Sequence, residues 1–95
     1  MAIEFEWDDE KARSNLRKHG VSFEDARHVF ADVFSIEWLD SRTNYGEDRT
    51  IIVGMAQGRH LTVVYTERDD RIRIVSARKA TKRECDDYYQ NQASS

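Results

Sequence analysis

The sequence predicts an α+β domain in which an antiparallel sheet of four to five strands carries two N-terminal helices and one C-terminal helix. Three observations lead to this fold class. Apolar and polar residues alternate with a two-residue period in several segments, capping residues mark three helix starts, and short turn signals separate the last strands. Strands joined by short connections usually pair as antiparallel neighbours, and we expect the helices to pack on one face of the sheet.

The first strand and the first helix are marked by periodicity and by caps. Ile3, Phe5 and Trp7 alternate with glutamates, which predicts a strand with one apolar face. Asp8 can cap the N-terminus of a helix that runs to a glycine, Gly20, in the left-handed position.

A second helix is predicted from Ser22, with Asp25 placed for a variant capping box. Apolar residues follow a helical period from 23 to 33, and alternation over 34–38 then predicts a strand. The polar run over 40–48 is predicted to be a loop.

The remaining chain predicts three strands and a helix. Gln57-Gly58 and Asp69-Asp70 are turn signals, and they separate strands at 49–55, 61–66 and 71–79. Thr81 and Glu84 form a capping box that starts a helix ending near Gln90.

The domain organisation is simple. We expect residues 1–90 to form a single domain and residues 91–95 a flexible tail, because 95 residues suit one domain and no linker is visible. No apolar run approaches the roughly 20 residues of a membrane helix, and no signal peptide is visible. The single cysteine, Cys85, cannot form an internal disulfide, which fits a cytoplasmic protein.

Charge is distributed unevenly along the chain. Residues 1–48 hold 6 Lys and Arg against 12 Asp and Glu, a balance of −6, whereas residues 49–84 hold 9 against 4, a balance of +5. The acidic part could face a basic partner and the basic part could face phosphates. Alternatively, both are ordinary solvated surfaces.

The sequence predicts neither a metal site nor a cofactor. The three histidines have no ligand-like spacing, and no glycine-rich phosphate-binding loop is present. Cys85 should pack against the sheet, where a thiol is usually inert.

Several short motifs together resemble one known family. They are Phe5-Glu6-Trp7-Asp8, Lys18-His19-Gly20-Val21-Ser22-Phe23-Glu24, Tyr45-Gly46-Glu47-Asp48-Arg49, Val63-Val64-Tyr65-Thr66 and Arg73-Ile74-Val75-Ser76-Ala77-Arg78-Lys79-Ala80. In this order they resemble the BrnT toxins over nearly the whole chain. Two positions depart from the family pattern. Asn44 or Tyr45 stands where relatives often have a loop histidine, and Val33 where many have a proline.

The resemblance implies a RelE-like fold and a ribonuclease that stops translation. It also implies a BrnA-like ribbon-helix-helix antitoxin, and contact with operator DNA only through that antitoxin. Two alternatives stay open. The chain could be a non-enzymatic co-repressor that binds a DNA-binding partner, or a toxin that has lost its activity along with the loop histidine.

Cleavage of RNA without a metal needs a proton acceptor, a proton donor and cations around the phosphate. We predict that Arg49 and Arg78 supply the cations, because arginine binds phosphate with two parallel hydrogen bonds. Each could instead be a structural ion-pair partner. Arg49 begins a strand and Arg78 ends one, so they would converge if those strands pair suitably. Side chains alternate between the two faces of a strand, and Arg78 is an even number of residues from Ile72 and Ile74. It should therefore lie on their helix-covered face unless the strand is bulged.

The proton carriers are predicted to be His19 or Tyr65, although either could simply belong to the packed structure. Trp38 and Tyr45 could stack on bases, but packing is the simpler role for Trp38. Tyr88 and Tyr89 are most simply core residues. Four further cations are predicted to bind RNA, namely Lys18, Arg68, Arg73 and Lys79.

Overall fold

The structure, a computed structural model, describes residues 3–41 and 47–94, with side chains as far as Gln92. It has the predicted α+β architecture, with five strands and three α-helices. In chain order the elements are β1 (Glu4–Glu6), α1 (Asp9–His19), α2 (Phe23–Ala26), a 3₁₀ helix (Arg27–Ala31), β2 (Ile36–Leu39), β3 (Thr50–Ala56), β4 (Arg59–Arg68), β5 (Arg71–Lys79) and α3 (Lys82–Ser94).

The sheet is antiparallel except at one edge. Its strand order is β1-β5-β4-β3-β2, so β2 to β5 form the expected antiparallel meander. The first strand pairs parallel with β5, with Glu4 opposite Arg71 and Glu6 opposite Arg73. A parallel pair needs a long connection, and most of the chain lies between these two strands.

The predicted caps of the first two helices are present. The Asp8 carboxylate accepts from the N–H groups of Glu10 and Lys11 at 2.8 and 3.2 Å. Gly20 has the left-handed φ of 68°, and the Ser22 hydroxyl accepts from the Asp25 N–H at 3.0 Å. These bonds satisfy backbone donors that a helix terminus would otherwise leave without partners.

The second helical segment is shorter than predicted, ending at Ala31 rather than Val33. Asp32 has an extended backbone conformation, and its carboxylate accepts from the N–H groups of Phe34 and Met55 at 2.9 and 2.8 Å. Such side-chain bonds offer the backbone an alternative to further helix.

The main core lies between the sheet and α1, α2 and the 3₁₀ helix. On β4, Leu61, Val63 and Tyr65 face this core. They pack with apolar residues of the helical segment, among them Val21, Phe23, Ala26 and Val29.

The third helix packs on the opposite face of the sheet, so the expectation of helices on one face is wrong. Thr62, which alternates with the core residues of β4, donates to the Glu84 carboxylate of α3 at 2.8 Å. The reason is visible in β3, where the run Ile51, Ile52 and Val53 is buried throughout. A strand that is apolar on both faces needs cover on both.

A β-bulge in β5 reverses the direction of its later side chains. Val64 pairs with Ser76 but Tyr65 pairs with Ile74, which leaves Val75 as an extra residue. Arg78 therefore lies on the face opposite Ile74, which confirms the bulged alternative.

The third helix starts with the predicted capping box. The Thr81 N–H donates to Glu84 Oε1 at 2.8 Å, and the Glu84 N–H donates to Thr81 Oγ1 at 3.2 Å. The helix continues to Ser94, four residues beyond the predicted end at Gln90. Within residues 3–41 and 47–94, none of the helices is long and apolar enough to cross a membrane.

Candidate functional site

Past the short stretch that pairs with β1, the outer edge of β5 forms hydrogen bonds with a side chain instead of with a strand. β1 pairs only with residues 71–73 of β5. Farther along, Asn15 of α1 donates from Nδ2 to the Ala77 carbonyl at 2.7 Å and accepts from the Ala77 N–H at 3.1 Å. The same amide donates to the Val21 carbonyl at 3.0 Å, and the residue is buried. Asn15 thus holds α1 against the strand edge.

A shallow groove of about 200 Å³ lies between α1 and this edge of β5. It brings two of the predicted site residues, Lys18 and His19, next to the later part of β5, the strand that also carries Arg78 and Lys79. Arg78 and Lys79 are not among the described residues that line the groove, and Arg78 lies on the face of the sheet that α3 covers. We call Lys18 and His19 the α1–β5 group. The groove is lined by Lys11, Ser14, Asn15, Lys18, His19, Val75 and Ser76.

Arg78 is held in an ion pair with α3. Its Nη1 and Nη2 atoms donate to the two oxygens of the Glu84 carboxylate at 2.8 and 2.9 Å. Together with the Thr81 N–H and the Thr62 hydroxyl, these bonds lower the pKa of Glu84 from 4.5 to about 2, against the opposing effect of burial. Arg78 therefore has the structural ion-pair role that was one of its two predicted alternatives.

Arg49 and Arg78 share a face of the sheet, but the predicted convergence of the two arginines is wrong. Both β3 and β5 are antiparallel to β4, so the start of β3 and the end of β5 lie at opposite ends of the sheet. Arg49 immediately precedes the pair of Thr50 and Tyr65, whereas Arg78 pairs with Thr62. Strand geometry puts the two Cα atoms about 16 Å apart.

Arg49 belongs to a second cluster, which we call the Arg49 group, with the predicted RNA-binding residues Arg68 and Arg73. Each of the three lies near a carboxylate. Glu47 is 3.9 Å from Arg49 and 3.4 Å from Arg68, and the Arg73 Nη1 atom donates to Glu6 Oε2 at 2.9 Å. A phosphate bound here would compete with these glutamates.

These contacts explain the uneven charge of the sequence. Acidic residues of the first half bind arginines of the second half across the fold. The pairs are Glu4 and Glu6 with Arg71, Glu6 with Arg73, Asp25 with Arg59, and Glu47 with Arg49 and Arg68. Much of the charge asymmetry is thus used in ion pairs within the fold. The asymmetry therefore gives little independent support for an acidic partner surface or for a basic RNA surface on the sheet.

Tyr65 lies on the core face, away from the Arg49 group. Its hydroxyl donates to Glu37 Oε2 at 2.7 Å, and its ring contacts Phe30 with centroids 5.0 Å apart. Burial, and then the bond to Glu37, raise the pKa of Tyr65 above its ordinary value of 10. Tyr65 therefore keeps its proton near neutral pH, and its packing is that of a core residue.

The other aromatic candidates that the structure describes differ in how far their side chains are exposed. Trp38 is exposed on the edge strand β2 and so does not have the expected packing role, while Tyr45 lies outside the described residues. Tyr88 is buried as predicted and donates to Asp32 at 2.6 Å, but Tyr89 is about half exposed, contrary to expectation.

Sequence reasoning missed the role of Asn15. Its signal was available, since Asn15 is a polar residue on the apolar stripe of the first helix. Among the residues that the structure describes, no group of three or more His, Cys, Asp and Glu is placed to hold a metal ion. Cys85 is a free, partly buried thiol.

Comparison with protein families gives one match, and it spans the whole candidate site. Residues 7–84 match the family of BrnT ribonuclease toxins of type II toxin–antitoxin systems. Among curated proteins, no match was found. The family match takes in α1, the full meander and the start of α3. It includes the groove, the Arg49 group and Arg78. With most of its length matched in this way, the chain belongs to the BrnT family of ribonuclease toxins.

Proposed function

We propose that the chain is an endoribonuclease that cleaves RNA without a metal ion and thereby stops translation in the cytoplasm. The observation that carries this proposal is the family match, which covers the α1–β5 groove. In that groove an exposed imidazole, two lysines and two serine hydroxyls lie together, and such groups can move protons and bind phosphate.

The proposed reaction uses the RNA itself as nucleophile. The 2′-oxygen attacks the adjacent phosphorus and loses its proton, the bond from phosphorus to the 5′-oxygen breaks, and the leaving oxygen gains a proton. His19 would carry the protons, because the other candidate, Tyr65, is packed in the core, and Lys18 would stabilise the charge on the phosphate. The Arg49 group would hold phosphates farther along the same strand.

His19→Gln should lower RNA cleavage by about 10²–10⁴-fold, the usual contribution of a general acid or base. His19 is exposed at the end of α1, so the variant should keep the parent melting temperature. Cleavage would be measured with purified protein in EDTA, alongside growth when the chain is expressed alone.

His28→Gln is the matched control, because His28 is also exposed but lies in the 3₁₀ helix away from the groove. It should cleave RNA at the parent rate. Parent-like cleavage by His19→Gln would remove His19 from the mechanism. Loss of cleavage in EDTA would contradict a metal-independent reaction.

One observation favours the non-enzymatic alternative. Arg49 and Arg78, the cations first assigned to the scissile phosphate, both have carboxylate partners. A co-repressor that only binds a DNA-binding partner would need no accessible arginine there. Expression of the chain alone separates the two functions, since a co-repressor would leave both growth and RNA intact.

We further propose that the antitoxin, expected to be a BrnA-like ribbon-helix-helix protein, docks on the β2 edge of the sheet. Among the described strands, β2 is paired with β3 alone, and the residues around it expose four large apolar side chains. An exposed apolar patch on a free sheet edge is typical of a protein interface. The four residues are Val33, Phe34, Trp38 and Leu39.

Leu39→Asp should abolish co-purification of the chain with the antitoxin, because it places a charge in the centre of an apolar interface. Leu39 is 68% exposed, so the isolated variant should still fold. Leu16→Asp is the control, since Leu16 is 50% exposed on α1 instead. An antitoxin that is retained by Leu39→Asp and lost by Leu16→Asp would move the interface to α1.

A further inference from the structure

We infer that the outer face of α1 is the surface that binds the RNA backbone, through Lys11, Arg13, Arg17 and Lys18. This inference rests on the proposed function and deepens it. It assigns RNA binding to Lys11, Arg13 and Arg17, for which the sequence did not predict it, and it moves the principal phosphate contacts from the sheet arginines to a helix.

The first support is the ion pairing of the lysines and arginines on α1, compared with that of the arginines on the sheet. The stretch 11–23 contains four Lys and Arg, together with His19, and no acidic residue. None of these four cations forms an ion pair with any residue that the structure describes, whereas Arg71, Arg73 and Arg78 are bound to carboxylates. A phosphate can bind on α1 without first displacing a glutamate.

The second support is the shape of the surface. The α1–β5 groove adjoins a second shallow groove of about 340 Å³, because Lys11 and Ser14 line both. The second groove also contains Arg13 and Arg17, with Glu10 as its one carboxylate. The two grooves therefore lie side by side on α1, and we call them together the cationic track, which extends from Arg17 to His19, the proposed proton carrier.

The chemistry of the track favours a polyanion over a protein partner. Protein interfaces centre on aromatic and large aliphatic anchors. Among the described residues that line the two grooves, Val75 is the only apolar one, and the others are charged or polar. Lys11 and Lys18 are seven residues apart on one helix, about 10 Å, so the track can contact more than one phosphate of a strand.

The test measures how RNA binding depends on salt. A fluorescent single-stranded RNA with 2′-O-methyl groups cannot supply the attacking hydroxyl, so anisotropy reports binding without cleavage. Each lost phosphate contact should reduce the slope of log K against log salt concentration by about 0.7. Lys11→Gln/Lys18→Gln should therefore reduce the slope by about 1.4. Glutamine retains helix propensity, so the melting temperature should not change.

Lys82→Gln/Arg83→Gln is the matched control, since it removes the same charge from α3 on the other face of the sheet. It should leave the slope as in the parent. Equal slopes in the parent and the α1 variant, equal losses in both variants, or no binding by the parent at low salt would each overturn the inference. An α1 variant that loses the antitoxin but keeps the RNA slope would make α1 a protein interface, which also overturns it.

The fate of unmodified RNA distinguishes this inference from the proposed function. A parent protein that binds the modified RNA through α1 but never cleaves unmodified RNA would contradict the nuclease and leave the binding surface in place. Cleavage at parent rate and parent affinity by Lys11→Gln/Lys18→Gln would retain the nuclease and refute the α1 surface.

Discussion

Asn15→Ala should destabilise the folded chain by about 3–5 kcal/mol, because each buried group left without its partner costs roughly 1–3 kcal/mol. The change removes both bonds to the backbone of Ala77 and the bond to the Val21 carbonyl. In the part of the chain that the structure describes, no strand pairs with that stretch of the β5 edge to replace them. A domain of this size has only about 5–15 kcal/mol of stability in all. The expected fall in melting temperature is therefore about 15–30 °C.

Arg17→Ala is the control for this measurement, since Arg17 is an exposed residue of the same helix and alanine favours helix. It should leave the melting temperature within a few degrees of the parent. A second variant tests the geometry. Asn15→Asp keeps an acceptor for the Ala77 N–H but replaces both N–H donations by a carboxylate facing two carbonyls. At pH 7, Asn15→Asp should be at least as unstable as Asn15→Ala. Parent stability in either of these two variants would contradict the structural role of Asn15.

The sequence predicted the local features of the fold well because their causes are local. The caps at Asp8, Ser22 and Thr81 depend on residues within one helical turn, and each is present. The meander likewise depends on turns such as Gln57-Gly58, where both residues have the positive φ of a tight hairpin. These features could be read from neighbouring residues alone.

What the sequence could not predict depends on partners distant along the chain. The relative direction of β3 and β5 decides that Arg49 and Arg78 lie apart, and the bulge at Val75 decides which face Arg78 occupies. The pairing of Glu4 with Arg71, 67 residues away, turned an apparent charge asymmetry into internal ion pairs. Such outcomes depend on which residues of neighbouring strands pair with each other, and the alternation of residues within one strand does not determine that pairing.

Arg78→Ala should both unfold part of the chain population and abolish toxicity, and the structure shows how to separate the two effects. Removing the guanidinium leaves the Glu84 carboxylate, whose side chain is 15% exposed, without its main partner. The expected loss is about 2–4 kcal/mol, below the range for fully buried pairs because Arg78 is partly exposed. Arg78 makes the largest contribution to lowering the pKa of Glu84 from 4.5 to about 2, so its stabilisation is present above pH 4.5 and is lost as the pH falls toward 2.

The double variant Arg78→Ala/Glu84→Gln distinguishes a structural from a catalytic arginine. Glutamine can still accept the Thr62 and Thr81 bonds, so the double variant should be more stable at pH 7 than Arg78→Ala, and its stability should depend less on pH. Denaturant melts at pH 3 and pH 7 measure this directly. If the folded double variant remains non-toxic, Arg78 acts on RNA. If toxicity returns with stability, Arg78 serves only to anchor α3, and the phosphate must be bound by other cations, of which those on α1 are the nearest to His19.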